Sequence, residues 1–202
     1  GPDTSRAPQG SAPARLPASK AILRRLKPEL LAIGASTGGI HALGIFLRHL
    51  PEHIELPILV TQHLPGSFMS VFARQLELAS NRKAVIAEDQ LPIRSGHIYI
   101  APGGAHLNVR DAGAGLVCKL TRESAASGCM PSVDPMLKSA TRATEGRTIA
   151  VILSGMGKDG LSGASELVDQ GGTVWAQDEE SSAVWGMPRA VAERSLASAV
   201  LP

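Results

Sequence analysis

The sequence is poor in the residues that mark several specialised classes of protein. It holds two cysteines, Cys118 and Cys129, too few for a disulfide framework, and two thiols fit a reducing cytoplasm. Aromatic side chains make up 3% of the chain, which leaves few platforms for stacking nucleic-acid bases. The formal net charge is +2, so no broad basic surface offers itself to nucleic acid. The longest apolar runs, such as Ile149–Leu153, are strand length and far short of the roughly 20 residues of a membrane helix. No basic-then-apolar leader opens the sequence. These shortages speak against nucleic-acid binding, membrane insertion and a disulfide-stapled scaffold.

What is present suits a globular domain. Of 202 residues, 44% are apolar, enough for one domain of ordinary size with or without a tail. Glycine (21) and proline (14) are frequent, so tight turns are expected. The first 19 residues hold four Pro, four Ala, three Ser and two Gly with almost no large apolar groups. Such a segment buries too little surface to offset its ordering entropy and reads as a linker. Residues 1–28 carry Arg6, Arg15, Lys20, Arg24, Arg25 and Lys27 against Asp3, a net of +5, which leaves −3 for the remainder. The basic stretch Lys20–Lys27 interleaves Ile22, Leu23 and Leu26. It reads as a solvated helix at the domain edge, with a docking segment for an acidic partner as the alternative.

From residue 29 onward the texture changes. Strands are expected at Leu30–Ala35, Pro57–Gln62, Ala84–Ala87, Thr148–Ser154, Thr173–Gln177 and Ala199–Leu201. Helices are expected at Gly39–Leu50, Ser67–Leu78, Val133–Thr144, Leu161–Asp169 and Met187–Arg194. Strands alternating with helices predict an α/β fold: a doubly wound, mostly parallel sheet with helices on both faces. The middle, Gly96–Thr121, breaks into His97–Ala101, His106–Val109 and Leu116–Thr121 between glycine-rich turns. All three are expected in a small antiparallel β-hairpin insertion or sheet edge. Residues 29–202 thus form the predicted domain and 1–28 its leading linker.

In an open α/β sheet, ligands bind beyond the carboxyl ends of the strands. The loop after the first strand reads Gly34-Ala35-Ser36-Thr37-Gly38-Gly39. The second is followed by His63-Leu64-Pro65-Gly66. The strand ending near Ser154 is followed by Gly155-Met156-Gly157-Lys158-Asp159-Gly160. A hydroxyl, an imidazole and a carboxylate are therefore expected on one rim. A serine hydroxyl becomes a useful nucleophile only when a base takes its proton. His63 supplies that base, and Asp159 would fix the imidazole tautomer and stabilise its cation. Amides after Ser36, at the positive end of a helix, would stabilise an oxyanion. Each residue also has a plainer reading: Ser36 as a helix cap or phosphate contact, His63 as a structural histidine, Asp159 as the N-cap of the helix that follows.

Competing chemistries fit worse. The Gly34–Gly39 turn resembles that of short-chain dehydrogenases. Their ribose-binding carboxylate at the second strand is missing, and Tyr99 is followed four residues later by Gly103, not Lys. No Lys-Ser/Thr phosphate loop is present. His49 and His53 are four apart but flank Pro51, which breaks a shared helical face, and no cysteine pair has zinc spacing. No cofactor and no metal are expected. Cys129 is either a reactive loop thiol or an inert one.

With these motifs in order, the sequence resembles the catalytic domain of the chemotaxis protein-glutamate methylesterase family, CheB. The resemblance runs through Ile33–Gly39, Gln62–Pro65, Ala101–Gly104, Pro131–Asp134, Ser154–Gly160, Ala176–Glu179 and Trp185–Pro188. It implies Ser36 as nucleophile, His63 as base and Asp159 as third member, with oxyanion stabilisation near Thr37 and Met156. The implied activity is hydrolysis of glutamate methyl esters on the cytoplasmic helices of chemoreceptors, and deamidation of receptor glutamines by the same acyl-enzyme chemistry. The family is commonly preceded by a receiver domain, whereas only linker-like sequence stands ahead of the domain here. The segments Gly128–Pro131 and Asp134–Met136 look less typical of the family. Two other readings remain: a binding module with a degenerate site, and a related esterase acting on another modified protein outside chemotaxis.

Overall fold

The computed structural model describes residues 27–202. The linker and most of the basic stretch lie outside the described residues. The elements are β1 (Leu30–Ala35), α1 (Gly39–His49), β2 (Ile58–Gln62), a short 3₁₀ turn (Gly66–Phe68), α2 (Met69–Ser80), β3 (Lys83–Ile86), β4 (His97–Ile100), β5 (His106–Asp111) and β6 (Leu116–Thr121). They continue with α3 (Val133–Thr144), β7 (Thr148–Ile152), α4 (Leu161–Asp169), β8 (Thr173–Gln177), α5 (Met187–Glu193) and β9 (Ala199–Leu201).

Seven strands form one sheet in the order β3-β4-β2-β1-β7-β8-β9, and every pairing in it is parallel. The chain starts in the middle and winds outward, first through β2, then back past β1 into β7. A parallel sheet needs cover on both faces, so its strands are apolar throughout; all six residues of β1 are buried. Alternate side chains serve opposite cores. Leu31, Ile33 and Ala35 pack with Leu43 and Leu47 of α1 and Phe72 and Leu76 of α2. Leu30 and Ala32 face Val133, Met136 and Leu137 of α3, with Leu167 of α4 and Val191 of α5 in the same core.

One expectation is corrected. His97–Ile100 belongs to neither a hairpin nor an antiparallel edge; it pairs in parallel with both β2 and β3. Ile98 and Ile100 enter the core under α1 and α2, while Tyr99 enters the opposite core. A segment buried on both sides belongs inside a sheet, and its alternation of residue types hides that. Only β5 and β6 form the antiparallel hairpin. The hairpin is fastened to α3, where the Val109 amide donates to Ser139 Oγ at 3.0 Å. Among the described residues, no helix is long and apolar enough to cross a membrane.

Candidate active site

The change of winding direction between β1 and β7 opens a crevice at their carboxyl ends, where ligands of doubly wound sheets bind. Ser36 lies directly after β1, with its amide bonded to Ser154 O at 3.0 Å. Its carbonyl accepts from the Gly39 amide at 2.8 Å and from Gln62 Nε2 at 2.8 Å. Gly38 turns the chain into α1 at a φ of 77°, a left-handed value that costs glycine little. The Ser36 hydroxyl accepts from the Met156 amide at 3.0 Å and donates to Met187 Sδ at 3.4 Å. Space around it is tight: a Cβ at Gly155 would stand 2.3 Å from Ser36 Oγ and 2.5 Å from Met187 Sδ.

His63 follows β2, its amide bonded to Ala35 O at 3.1 Å. Its Nε2 lies 2.8 Å from Asp159 Oδ2. Asp159 is 4% exposed, and burial alone would push its carboxyl upward. Donors from His63, Val133, Ser132 and Asp134 outweigh that cost and hold it below the usual carboxylate range. An ionised carboxylate only accepts, so Nε2 carries a hydrogen and donates to Oδ2, which in a neutral ring leaves Nδ1 as the acceptor.

The Asp159 carboxylate closes the wrong helix for the plain N-cap reading. The N-cap of α4 is Gly160. Asp159 instead reaches the start of α3: Oδ2 accepts from the Val133 amide at 2.8 Å, and Oδ1 from the Asp134 amide at 3.1 Å and Ser132 Oγ at 2.8 Å. Asp134 returns the contact, its Oδ1 accepting from the Gly160 amide at 3.1 Å and the Gly163 amide at 2.8 Å at the start of α4. The start of α3 is capped by a carboxylate from the loop before α4, and the start of α4 by one from the first turn of α3, as the helix dipole favours. Burial, followed by the neighbouring Asp159 charge, raises Asp134 against the bonds from Gly163 and Gly160.

Ser36, Thr37, His63 and Met156 all line one open groove of ≈ 900 Å³, with Ile40, Leu64 and Cys129 on its walls. Asp159 sits behind His63. Of the three residues singled out in the sequence, two are bonded to each other and the third shares the groove of His63 without a hydrogen bond to either. His63 and Asp159 are bonded directly, while the Ser36 hydroxyl rests on Met187 with no hydrogen bond to the imidazole. The Thr37 amide has no hydrogen-bond partner among the described residues. No group of three or more His, Cys, Asp or Glu residues placed to hold a metal occurs among the described residues. Ser132, Gln62 and Met187 were missed as site residues. The sequence marked all three only as members of the segments that carry the family resemblance.

Fold and rim together define a doubly wound α/β protein that carries a hydroxyl and a hydrogen-bonded imidazole–carboxylate pair at its topological switch point. The family model for CheB methylesterase matches residues 31–202, and the chain belongs to that family. It is 46% identical over 179 residues to a protein-glutamate methylesterase/protein-glutamine glutaminase of Azospirillum brasilense, covering 88% of this chain and 45% of that protein. A Rhodospirillum rubrum protein of the same description is 43% identical over 178 residues, covering 87% of this chain and 46% of that protein. The chain spans about half the length of the curated relatives it matches. The crystal structure of the Thermotoga maritima CheB methylesterase catalytic domain superposes with a TM-score of 0.83 at 38% identity, covering 88% of this chain and 94% of that one.

Proposed function

We propose that residues 29–202 are a serine-hydrolase-type catalytic domain, led by residues 1–28 as a linker, that removes methyl esters from glutamates of chemoreceptor cytoplasmic helices. The observation that carries this reading is the His63–Asp159 pair, 2.8 Å apart, whose imidazole lines the same groove as a Ser36 hydroxyl already touching the Met156 amide. Rotation of Ser36 Oγ away from Met187 toward Nδ1 of His63 starts the reaction. Oγ attacks the γ-carbonyl carbon of the ester as its proton passes to Nδ1. The tetrahedral oxyanion is met by the Thr37 and Met156 amides. The bond to the methoxy oxygen then breaks, His63 returns the proton, and methanol leaves an acyl-serine. Water, deprotonated by the same nitrogen, attacks that ester; the bond from the acyl carbon to Oγ breaks, His63 returns the proton to Oγ, and glutamate leaves a free Ser36.

A glutamine side chain follows the same path with ammonia as the leaving group, in keeping with the glutaminase half of the relatives' description. Such substrates place the protein in the cytoplasm, without insertion into the membrane, and a receiver domain is its expected regulator. Ser36→Ala is expected to abolish methanol release from methylated receptor while circular dichroism and the thermal midpoint stay put. Near-normal turnover by that variant overturns the proposal.

A further inference from the structure

The residue before α3 has given up the task its position suggests. Ser132 has N-cap geometry, φ −117° and ψ 148°, yet its side chain bonds no amide of its own helix. An N-cap serine ordinarily accepts from an amide of the first turn. Here Asp159 takes those amides, and the Ser132 hydroxyl turns to Asp159 as well. Ser132 is fully buried. Its backbone is pinned by its own amide, which donates to Nδ1 of the buried His106 at 2.9 Å, while Nε2 of that ring meets Glu123 O at 2.6 Å.

The direction of each proton follows from valence. Ser132 Oγ lies 2.8 Å from Asp159 Oδ1 and 2.9 Å from Ser127 Oγ. A hydroxyl has one hydrogen, and an ionised carboxylate can only accept. Ser132 therefore donates to Asp159 and accepts from Ser127. Ser127 Oγ in turn accepts from the Cys129 amide at 3.1 Å. Three donors point one way along a chain that starts in the groove wall at Cys129 and ends on Oδ1, while His63 occupies Oδ2. Aligned donors polarise one another in a poorly screened interior. Without Ser132, Oδ1 keeps only the Asp134 amide, the longest of the four contacts at 3.1 Å.

We propose that Ser132 is a positioning residue for the hydrolysis, holding the Asp159 carboxylate in the orientation at which it grips His63. This rests on the reading of Ser36, His63 and Asp159 given above. The test measures methanol release against pH, separates kcat from KM, and follows the rate at which a fluorophosphonate labels Ser36. For Ser132→Ala, kcat and labelling are expected to fall about tenfold, with KM within about twofold. The acid limb of both profiles should move to higher pH, because a carboxylate that has lost a donor keeps more of its charge for the imidazole and favours the ring's protonated form. Ser132→Thr, which keeps the hydroxyl, should recover the profile.

Ser127 is exposed, so Ser127→Ala tests the chain without a packing defect and should show the same shift at roughly a third of the size. A Ser132→Ala enzyme with the wild-type limb and kcat overturns the proposal, and so does a Ser127→Ala enzyme indistinguishable from wild type if Ser132→Ala does not fold. If Ser36→Ala keeps its turnover, the hydrolase reading fails and this inference with it. If Ser36→Ala is inactive while the Ser132 and Ser127 variants behave as wild type, this inference alone fails.

Discussion

At the Ser36 end of the groove the side chain makes two contacts, one of them to a thioether. At the Asp159 end four donors converge on a single carboxylate. Ser36 is placed by its backbone, through three bonds to its amide and carbonyl, and its hydroxyl is held by one amide and one sulfur. Asp159 is placed by its side chain, locked between the N-terminus of α3 and His63. The difference follows from what each atom must do. A buried acid stays charged at neutral pH only if donors replace its lost water. The nucleophile proposed at Ser36 must travel between a resting place and the reacting carbon, and sulfur is a weak acceptor that releases it easily.

Substitutions at the two ends should fail differently. Asp159→Asn strikes the locked end, where an amide presents its own hydrogens to some of the four donors. Turnover should fall about 10³-fold, with a stability loss of about 1–3 kcal/mol visible in thermal melts. That stability difference should itself depend on pH. Asp159 is held below its unfolded value, so its contribution is complete at neutral pH and disappears as pH falls through the folded-state value. Asp134 is raised and gains protons earlier, so it opposes the loss rather than adding to it. Melts of wild type and Asp159→Asn should therefore converge toward acid, and parallel curves would show that the donors do not stabilise the anion.

Gly155→Ala strikes the loose end. Its Cβ occupies the space of Ser36 Oγ, so activity should drop about 10²-fold while the acid limb of the pH profile stays where it is. A moved limb would mean that the two ends are not separately held. The smallest effect is expected from Met187→Leu. It removes the resting acceptor and preserves volume, so kcat should stay within about threefold of wild type. A large loss there would make Met187 a catalytic partner rather than a parking place.

Much of this arrangement was legible in the sequence because its logic is local. Buried strands such as Leu30–Ala35 and Thr173–Gln177 and the helix Val133–Thr144 declare themselves by apolar period, and their bounds agree with the structure. Ser36 and His63 follow strands that end on one rim, and Asp159 lies in the loop after a third, so the position of each could be read from the strands alone. His97–Ile100 was expected in the hairpin and lies inside the parallel sheet, since the same four residues suit either place until their neighbours are known. Ser132 and Met187 stayed invisible as site residues because their partners, Asp159 and Ser36, lie 27 and 151 positions away. The exchange of caps between α3 and α4 also joins two loops with no shared sequence signal.

The central claim is that His63, held by Asp159, activates Ser36 and no other hydroxyl. The most direct measurement is mass spectrometry of the protein after treatment with a fluorophosphonate, with His63→Ala alongside. The account predicts one adduct, on Ser36, formed at least about 10²-fold more slowly in the variant. An adduct on a different serine, or labelling of Ser36 at the same rate without the imidazole, would contradict it.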